Sequence, residues 1–299
     1  MTKKLNLIGV ALGIGAGNPG CHEGPLAVYD DPTLFESLPL DINWSAMIES
    51  AQDASKLQAM PYIAHACTEV ANKVSKATQT NQFFGTIGGD HSCAIGTWSG
   101  AAYALREKGD LGLIWVDAHM DSHTNETSET GNIHGMPVAA LLGHGDKQLT
   151  QILDKYPKLL PQNICLIGIR SFEAKEQALL NELGVQVYYA DEVNARGVHS
   201  VLAEALKQVT ANTVKFGISI DLDGIDPTHA PGVGTPVGDG ICGDSLLDAL
   251  SMIQSHPDFI GFEIAEFNPS LDLEQKTLLL IRNIIAALSL KNADQNFEF

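Results

Sequence analysis

The sequence predicts an α/β fold in which a central parallel β-sheet is covered by helices on both faces. Short apolar runs alternate with longer segments of helical periodicity along the chain, as expected where helices connect parallel strands. Most of the apolar runs are continuously hydrophobic, which is typical of strands buried on both faces. We find no repeat or linker and therefore expect a single domain over residues 1–299.

Apolar runs and helical periodicity define the expected elements in chain order. The predicted strands are residues 5–10, 83–87, 111–116, 164–169, 186–189, 214–220 and 259–264. The predicted helices are residues 51–76, 94–108, 173–183, 198–209, 244–255 and 271–288. Within the first of these helices, Pro61 is expected to break or kink the helix near Met60, because proline lacks the amide donor of a helix interior.

Charge and cysteine content exclude several classes of protein. There are 36 acidic and 18 basic residues, giving a net charge of −18, which argues against a nucleic-acid partner because such binding depends on Lys and Arg. No apolar run approaches the roughly 18 residues that a membrane span needs, so we expect no membrane association. The start of the sequence does not resemble a signal peptide, and the five cysteines form no CxxC pair. We therefore expect a cytoplasmic protein with reduced thiols.

Four segments rich in acids and histidines follow predicted strands directly. They are GGDHS (88–92), DAHMD (117–121), DLDGIDP (221–227) and EIAEFNP (263–269). The carboxyl ends of parallel strands meet at one edge of a sheet, where α/β proteins bind ligands. We therefore expect these segments to form one site.

The residue types in these segments predict a metal centre. In an extended segment, alternate residues share a face, so Asp117, His119 and Asp121 can point into one pocket, and Asp221 and Asp223 repeat the pattern. Carboxylates crowded together repel one another, and cations relieve that repulsion. Any one motif alone is consistent with a turn, a cap or a buried histidine, but their combination favours two divalent ions sharing an activated water.

The motifs resemble the signatures of the ureohydrolase family (arginases, agmatinases and formiminoglutamases), and the chain is most similar to arginases. The order and spacing of the motifs agree over almost the whole chain, which implies the three-layer arginase-like fold with its metal site at the strand C-terminal ends. The resemblance implies a first ligand group of His91, Asp117, Asp121 and Asp221. It implies a second ligand group of Asp117, His119, Asp221 and Asp223, with Asp117 and Asp221 bridging. The family usually uses manganese, so two Mn²⁺ ions are expected, although imidazole ligands also suit Co²⁺, Ni²⁺ or Zn²⁺.

The same resemblance implies roles for the catalytic residues. A metal-bridging hydroxide would attack the guanidinium carbon, and Asp121 would carry its proton to the departing amine. Glu266 would pair with the guanidinium group, and Thr235 would support the pocket beside Glu266. His134 would shuttle protons, a task that suits the ordinary pKa of histidine.

Substrate choice depends on the residues expected at the far end of the substrate. Thr130 and Asn132 match the arginase positions that read an α-carboxylate, and Glu173 matches the acid that reads an α-amino group. Three departures stand out: arginases have Asn in place of His123 and the shorter Asp in place of Glu173, and Thr130 conservatively replaces their usual Ser. Glu173 also has an alternative interpretation as an acid in the first turn of a helix, where the helix dipole favours negative charge.

We therefore expect hydrolysis of a guanidino substrate, with L-arginine, giving L-ornithine and urea, as the favoured one. Another amidinohydrolase activity, on agmatine or a guanidino acid, stays open. A catalytically silent metal-binding homologue is disfavoured because all six ligand positions are occupied, and a deacetylase is disfavoured by the second ligand group. The resemblance also implies a homo-oligomer, either a trimer or a hexamer.

Overall fold

The computed structural model describes residues 3–50 and 54–290, and within them eight strands form one parallel sheet. The strands are β1 (Lys3–Ala11), β2 (Leu40–Glu49), β3 (Phe84–Gly88), β4 (Leu111–Val116), β5 (Ile164–Ile169), β6 (Gln186–Tyr189), β7 (Lys215–Asp221) and β8 (Phe259–Ala265). Their order in the sheet is β2-β1-β3-β8-β7-β4-β5-β6, and every pairing is parallel. The inner strands β3, β4 and β5 are buried along their whole length, as their continuous hydrophobicity predicts.

Helices cover both faces of this sheet. They are α1 (Glu23–Asp30), α2 (Met60–Gln79), α3 (Cys93–Leu105), α4 (Pro137–Leu141), α5 (Lys147–Thr150), α6 (Ala174–Leu183), α7 (Ala190–Arg196), α8 (Val198–Thr210), α9 (Gly243–Gln254) and α10 (Lys276–Ser289). Helices α2 and α3 pack on one hydrophobic core, and α8, α9 and α10 pack on another. In the described ranges, no helix is long and apolar enough to cross a membrane.

The predicted strands are confirmed, and their ends differ from the prediction by no more than two residues. Among the described strands, the one that the sequence did not predict is β2, which pairs with β1 at the edge of the sheet. Its residues are mostly half-buried or exposed, and many alternate along the strand. Such an edge strand lacks the continuous apolar run by which the inner strands were recognised.

Two predicted helix starts are wrong, and each has a local cause. Helix α2 begins at Met60, and Pro61 lies in its first turn, where proline loses no helical hydrogen bond; residues 51–53 lie outside the described ranges. Helix α10 begins at Lys276 instead of residue 271 because Glu274 and Gln275 have φ angles of +57° and +58°. A left-handed backbone at these two residues prevents a continuous α-helix.

Candidate metal centre and active site

The four motif segments are brought together by the strand order. They follow β3, β4, β7 and β8, and these strands are neighbours in the order β3-β8-β7-β4. Because the strands are parallel, all four segments leave the sheet at the same edge. The expectation of one site at strand C-terminal ends agrees with this geometry.

His91 is the centre of the first ligand group. Its Nδ1 atom lies 3.3 Å from a carboxylate oxygen of Asp117 and 3.3 Å from one of Asp121. The same nitrogen lies 3.0 Å from Asp221 Oδ2. All four side chains are buried, so one imidazole nitrogen and three carboxylate oxygens converge where water has little access.

The second ligand group forms around His119. The Nδ1 atom of His119 lies 3.5 Å from Asp117 Oδ1 and 3.2 Å from Asp223 Oδ2. Asp117 therefore directs one oxygen toward each histidine, as a bridging carboxylate requires. Asp221 contacts the first group, and its Oδ1 atom accepts the backbone N–H of Asp223 at 2.9 Å; its bridging role stays a prediction.

These residues fit divalent cations. The buried His91 Nδ1 has no hydrogen-bond partner among the described residues, and such an orphaned atom is unfavourable unless a cation or proton occupies the space before it. His91 is held by a stacked contact with Trp115, whose ring centroid lies 4.1 Å away. Trp115 Nε1 also donates to Asp117 Oδ2 at 2.8 Å. The indole of Trp115 therefore orients both a histidine and a carboxylate of the candidate ligand groups.

The raised pKa values of two carboxylates also indicate a site for cations. Burial, reinforced by the charge of Asp117, raises the pKa of Asp121 to about 6. Burial together with Asp223 and Asp117 raises the pKa of Asp221 well above its ordinary value. Crowded and buried carboxylates resist ionisation, and bound cations reverse that resistance.

The backbone is left-handed at two carboxylate residues of the site. Asp121 has φ +47° and Glu266 has φ +69°, a conformation that is uncommon for residues other than glycine. The extended geometry predicted for residues 117–121 is therefore wrong at Asp121, which reaches His91 through a turn after β4. The Val138 N–H donates to the Asp121 carbonyl at 2.9 Å and supports this turn. Such strain is characteristic of functional sites.

The two ligand groups open into a cavity of about 220 Å³. Its lining includes the predicted residues His119, Asp121, His123, Thr130, Asn132, His134, Glu173, Asp221, Asp223 and Thr235. No Lys or Arg belongs to its described lining, so the cavity favours a cationic ligand. A larger cavity of about 420 Å³ lies elsewhere and has no carboxylate or imidazole among its described lining residues.

A second acidic cluster lies on the wall of this cavity. His123 Nε2 lies 2.7 Å from Glu173 Oε2 and 3.6 Å from Glu176 Oε2. Glu173 is also the N-cap of α6 and forms a capping box with Glu176. The two interpretations of Glu173 are therefore compatible, since one side chain caps the helix and faces the cavity. Burial, together with Glu173, raises the pKa of Glu176 to about 8.

Glu266 lies in a buried position behind the cavity. Its Oε1 atom accepts the backbone N–H of His91 at 2.9 Å and lies 3.0 Å from His134 Nδ1. Its Oε2 atom accepts the Cys21 thiol at 3.0 Å. Burial opposes charge on both partners, but their contact outweighs it, lowering the pKa of Glu266 and raising that of His134 to about 9. Glu266 is only 1% exposed and does not line the cavity.

Thr235 lines the cavity. Its hydroxyl donates to Asp223 Oδ2 at 2.7 Å, so it supports a candidate metal ligand. Arg170, which follows β5, donates from Nη2 to the carbonyls of Asp223 and Val237, both at 2.7 Å. Three further backbone carbonyls accept from its Nε and Nη1 atoms. Arg170 thereby fastens the loop that carries Thr235 to the backbone of Asp223.

Sequence reasoning missed Glu176, Trp115 and Arg170 as parts of the site. Glu176 lies three residues after Glu173, the spacing of a capping box, and that spacing was the available signal. Trp115 lies inside an apolar strand and looks like a core residue. Arg170 directly follows β5, but two of the five carbonyls to which it donates lie in a loop nearly seventy residues later in the chain.

Comparison with known proteins agrees with this geometry. The chain matches the family described as the arginase family over residues 3–290. It is similar to the arginase of Bacillus caldovelox, with 37% identity over 92% of this chain and 94% of that protein. It is 35% identical to the arginase of Bacillus subtilis over 93% of this chain and 94% of that protein. The solved native structure of the Bacillus caldovelox arginase superposes with a TM-score of 0.89 and 36% identity, covering 97% of this chain and 99% of the other. The fold, the placement of the motifs and these similarities lead to one conclusion: the chain belongs to the arginase family of ureohydrolases.

Proposed function

We propose that this protein hydrolyses L-arginine to L-ornithine and urea. The observation that carries the proposal is the pair of ligand groups joined by Asp117, at a cavity whose described lining has no Lys or Arg. Similarity to proteins named arginase over more than nine-tenths of the chain supports the choice of substrate.

Two Mn²⁺ ions held by the two ligand groups would supply Lewis-acid activation of a water. Four carboxylates favour Mn²⁺, and the two imidazoles leave Co²⁺ and Ni²⁺ as alternatives. The unpartnered His91 Nδ1 and the raised pKa of Asp221 support occupation of the site by cations.

Asp121 and His134 handle protons in this proposal. The Asp121 carboxylate would receive a proton from the attacking water and deliver it to the departing amine. His134 lines the cavity while its Nδ1 contacts Glu266, so its other ring nitrogen exchanges protons with solvent. Glu266 orients His134 through this contact. The pairing of Glu266 with the guanidinium group itself stays a prediction.

The far end of the substrate is read by two sets of side chains. The Thr130 hydroxyl and the Asn132 amide provide neutral donors for an α-carboxylate, and both line the cavity. Glu173 offers a carboxylate to an α-ammonium group, which forms charge-assisted hydrogen bonds. Both ends of L-arginine therefore find partners of suitable chemistry.

One observation favours agmatine as the alternative substrate. His123 Nε2 contacts Glu173 at 2.7 Å, so this ring nitrogen is already engaged with a carboxylate and does not serve the substrate's carboxylate. A substrate with an ammonium group and no carboxylate needs no such donor. A site without that donor would discriminate less strongly between agmatine and arginine.

The test is urea release by the Mn²⁺-loaded protein from L-arginine, agmatine and 4-guanidinobutyrate, with formamide release measured for formiminoglutamate. Asp121→Asn serves as the matched control because it keeps the side-chain size and removes the charge. Turnover of arginine that Asp121→Asn abolishes would support the proposal. Turnover of agmatine instead would transfer the function to the alternative, and silence with Mn²⁺, Co²⁺ and Ni²⁺ would contradict both.

Assembly and location belong to the same proposal. We infer a homo-oligomer, a trimer or hexamer, acting in the cytoplasm on a small guanidino substrate, with the chain forming one domain over residues 1–299. This part of the proposal rests on the family resemblance together with the acidic composition and scattered cysteines.

A further inference from the structure

A chain of buried polar contacts leads from the metal site into the sheet. His91 Nε2 lies 3.0 Å from Ser219 Oγ, and Ser219 Oγ donates to Glu263 Oε2 at 3.2 Å. The other oxygen of Glu263 accepts the Cys93 thiol at 2.8 Å. Ser219 and Glu263 are direct neighbours across β7 and β8. All four residues are at most 1% exposed, so no solvent competes for these contacts.

The direction of these hydrogen bonds fixes which ring nitrogen of His91 carries a proton. The Cys93 thiol donates to one oxygen of Glu263, and the Ser219 hydroxyl donates to the other. Because Ser219 gives its only proton to Glu263, its oxygen is left to accept from His91 Nε2–H. A neutral His91 therefore has an unprotonated Nδ1, the atom that faces Asp117, Asp121 and Asp221.

We propose that Glu263, acting through Ser219, is a positioning residue that keeps the metal-binding tautomer of His91 and so sets the affinity of the first ligand group. The inference rests on the proposed binuclear function. Glu263 is outside both ligand groups, and its two buried side-chain oxygens accept the hydrogen bonds of Cys93 and Ser219. Hydrogen-bond partners of this kind orient metal-binding histidines and raise their basicity.

The histidine of the second ligand group lies outside this chain of contacts, although Asp117 belongs to both groups. His119 Nδ1 contacts Asp117 and Asp223, and His119 is partly exposed. Loss of Ser219 or Glu263 should therefore weaken one ion site more than the other. This asymmetry distinguishes a positioning role from a general loss of stability.

The experiment is a Mn²⁺ titration of the full-length protein and of Ser219→Ala and Glu263→Gln, with free Mn²⁺ followed by electron paramagnetic resonance. Ser99→Ala is the matched control, because the Ser99 hydroxyl is also buried but has no hydrogen-bond partner among the described residues. We expect the affinity for one of the two ions to fall about 10- to 100-fold in both variants, the cost measured for such partners elsewhere. The activity of both variants should recover as Mn²⁺ is raised, with kcat changing less than the Mn²⁺ requirement.

The outcomes separate this inference from the proposed function. Two ions bound by Ser219→Ala and Glu263→Gln with unchanged affinity would overturn the inference, as would equal weakening of both ions. Failure of the unaltered protein to bind two ions would instead contradict the proposed function. Circular dichroism checks the fold of each variant. If both variants lost their fold, the contacts would be structural and the inference would be wrong.

Discussion

Replacing His134 by Asn should make the stability of the metal-free protein less dependent on pH. In the folded protein, contact with Glu266 at 3.0 Å outweighs burial and raises the pKa of His134 from 6.5 to about 9. A group whose pKa is raised by folding stabilises the folded state fully below its unfolded pKa and loses that effect as the pH rises through its folded pKa. The relevant window is therefore pH 6.5 to 9.

The magnitude follows from the size of the shift. At 1.36 kcal/mol per pKa unit, the shift corresponds to about 3 kcal/mol. Solvent screening reduces this value to about 2 kcal/mol, because the His134 side chain is 20% exposed. Glu266 has a lowered pKa, so it stays ionised throughout the window and adds no pH dependence of its own.

The assay is urea denaturation of the metal-free protein and of His134→Asn at intervals between pH 6 and pH 10. The free energy of unfolding should differ most at low pH, and the difference should shrink by about 2 kcal/mol on passing to pH 10. Glu266→Gln and the double variant complete a double-mutant cycle, which isolates the interaction free energy between His134 and Glu266. A difference that stays constant over the whole range would refute the assignment of this pKa shift to the His134–Glu266 contact.

Three further predictions concern packing, loop attachment and metal. Gly89→Ala should prevent stable folding, measured as loss of soluble protein and of the thermal transition, because its Cβ would lie 1.8 Å from the Leu12 carbonyl oxygen; a variant with unchanged Tm would contradict this. Arg170→Met should lower kcat/KM and destabilise the protein by about 2–4 kcal/mol in urea, since five carbonyls lose their donors; activity equal to that of the unaltered protein would show that the loop carrying Thr235 needs no such attachment. Chelation by EDTA should lower Tm reversibly, because ions that bind only the folded state stabilise it; a Tm that does not respond to added Mn²⁺ would argue against a metal centre.

Much of the fold was predictable because its inner strands are buried on both faces. Strands such as β4 and β5 are continuously apolar in sequence. Charged residues directly after such strands are therefore easy to recognise. His91 and Asp117 were identified in this way. The edge strand β2 has no continuous apolar run, because most of its residues are half-buried or exposed.

The partners of the ligands were harder to predict than the ligands themselves. Ser219 and Glu263 lie inside strands, and only the pairing of β7 with β8 brings them together. Their one visible signal was a polar residue inside an otherwise apolar run. The turn at Asp121 left no pattern, because its left-handed backbone is supported by a hydrogen bond from Val138 in another segment. Local periodicity contains no information about such contacts.

The position of β8 in the sheet has a consequence for biosynthesis. The strand is the last one in the described sequence, yet it lies between β3, which precedes His91, and β7, which ends at Asp221. During synthesis, the two halves of the metal site therefore cannot reach their final separation until residues 259–265 have left the ribosome and inserted between them. Pairing between strands far apart in sequence is slow, so metal loading should be among the last steps in maturation. A chain interrupted before β8 would contain all six candidate ligands and still lack the arrangement that brings them together.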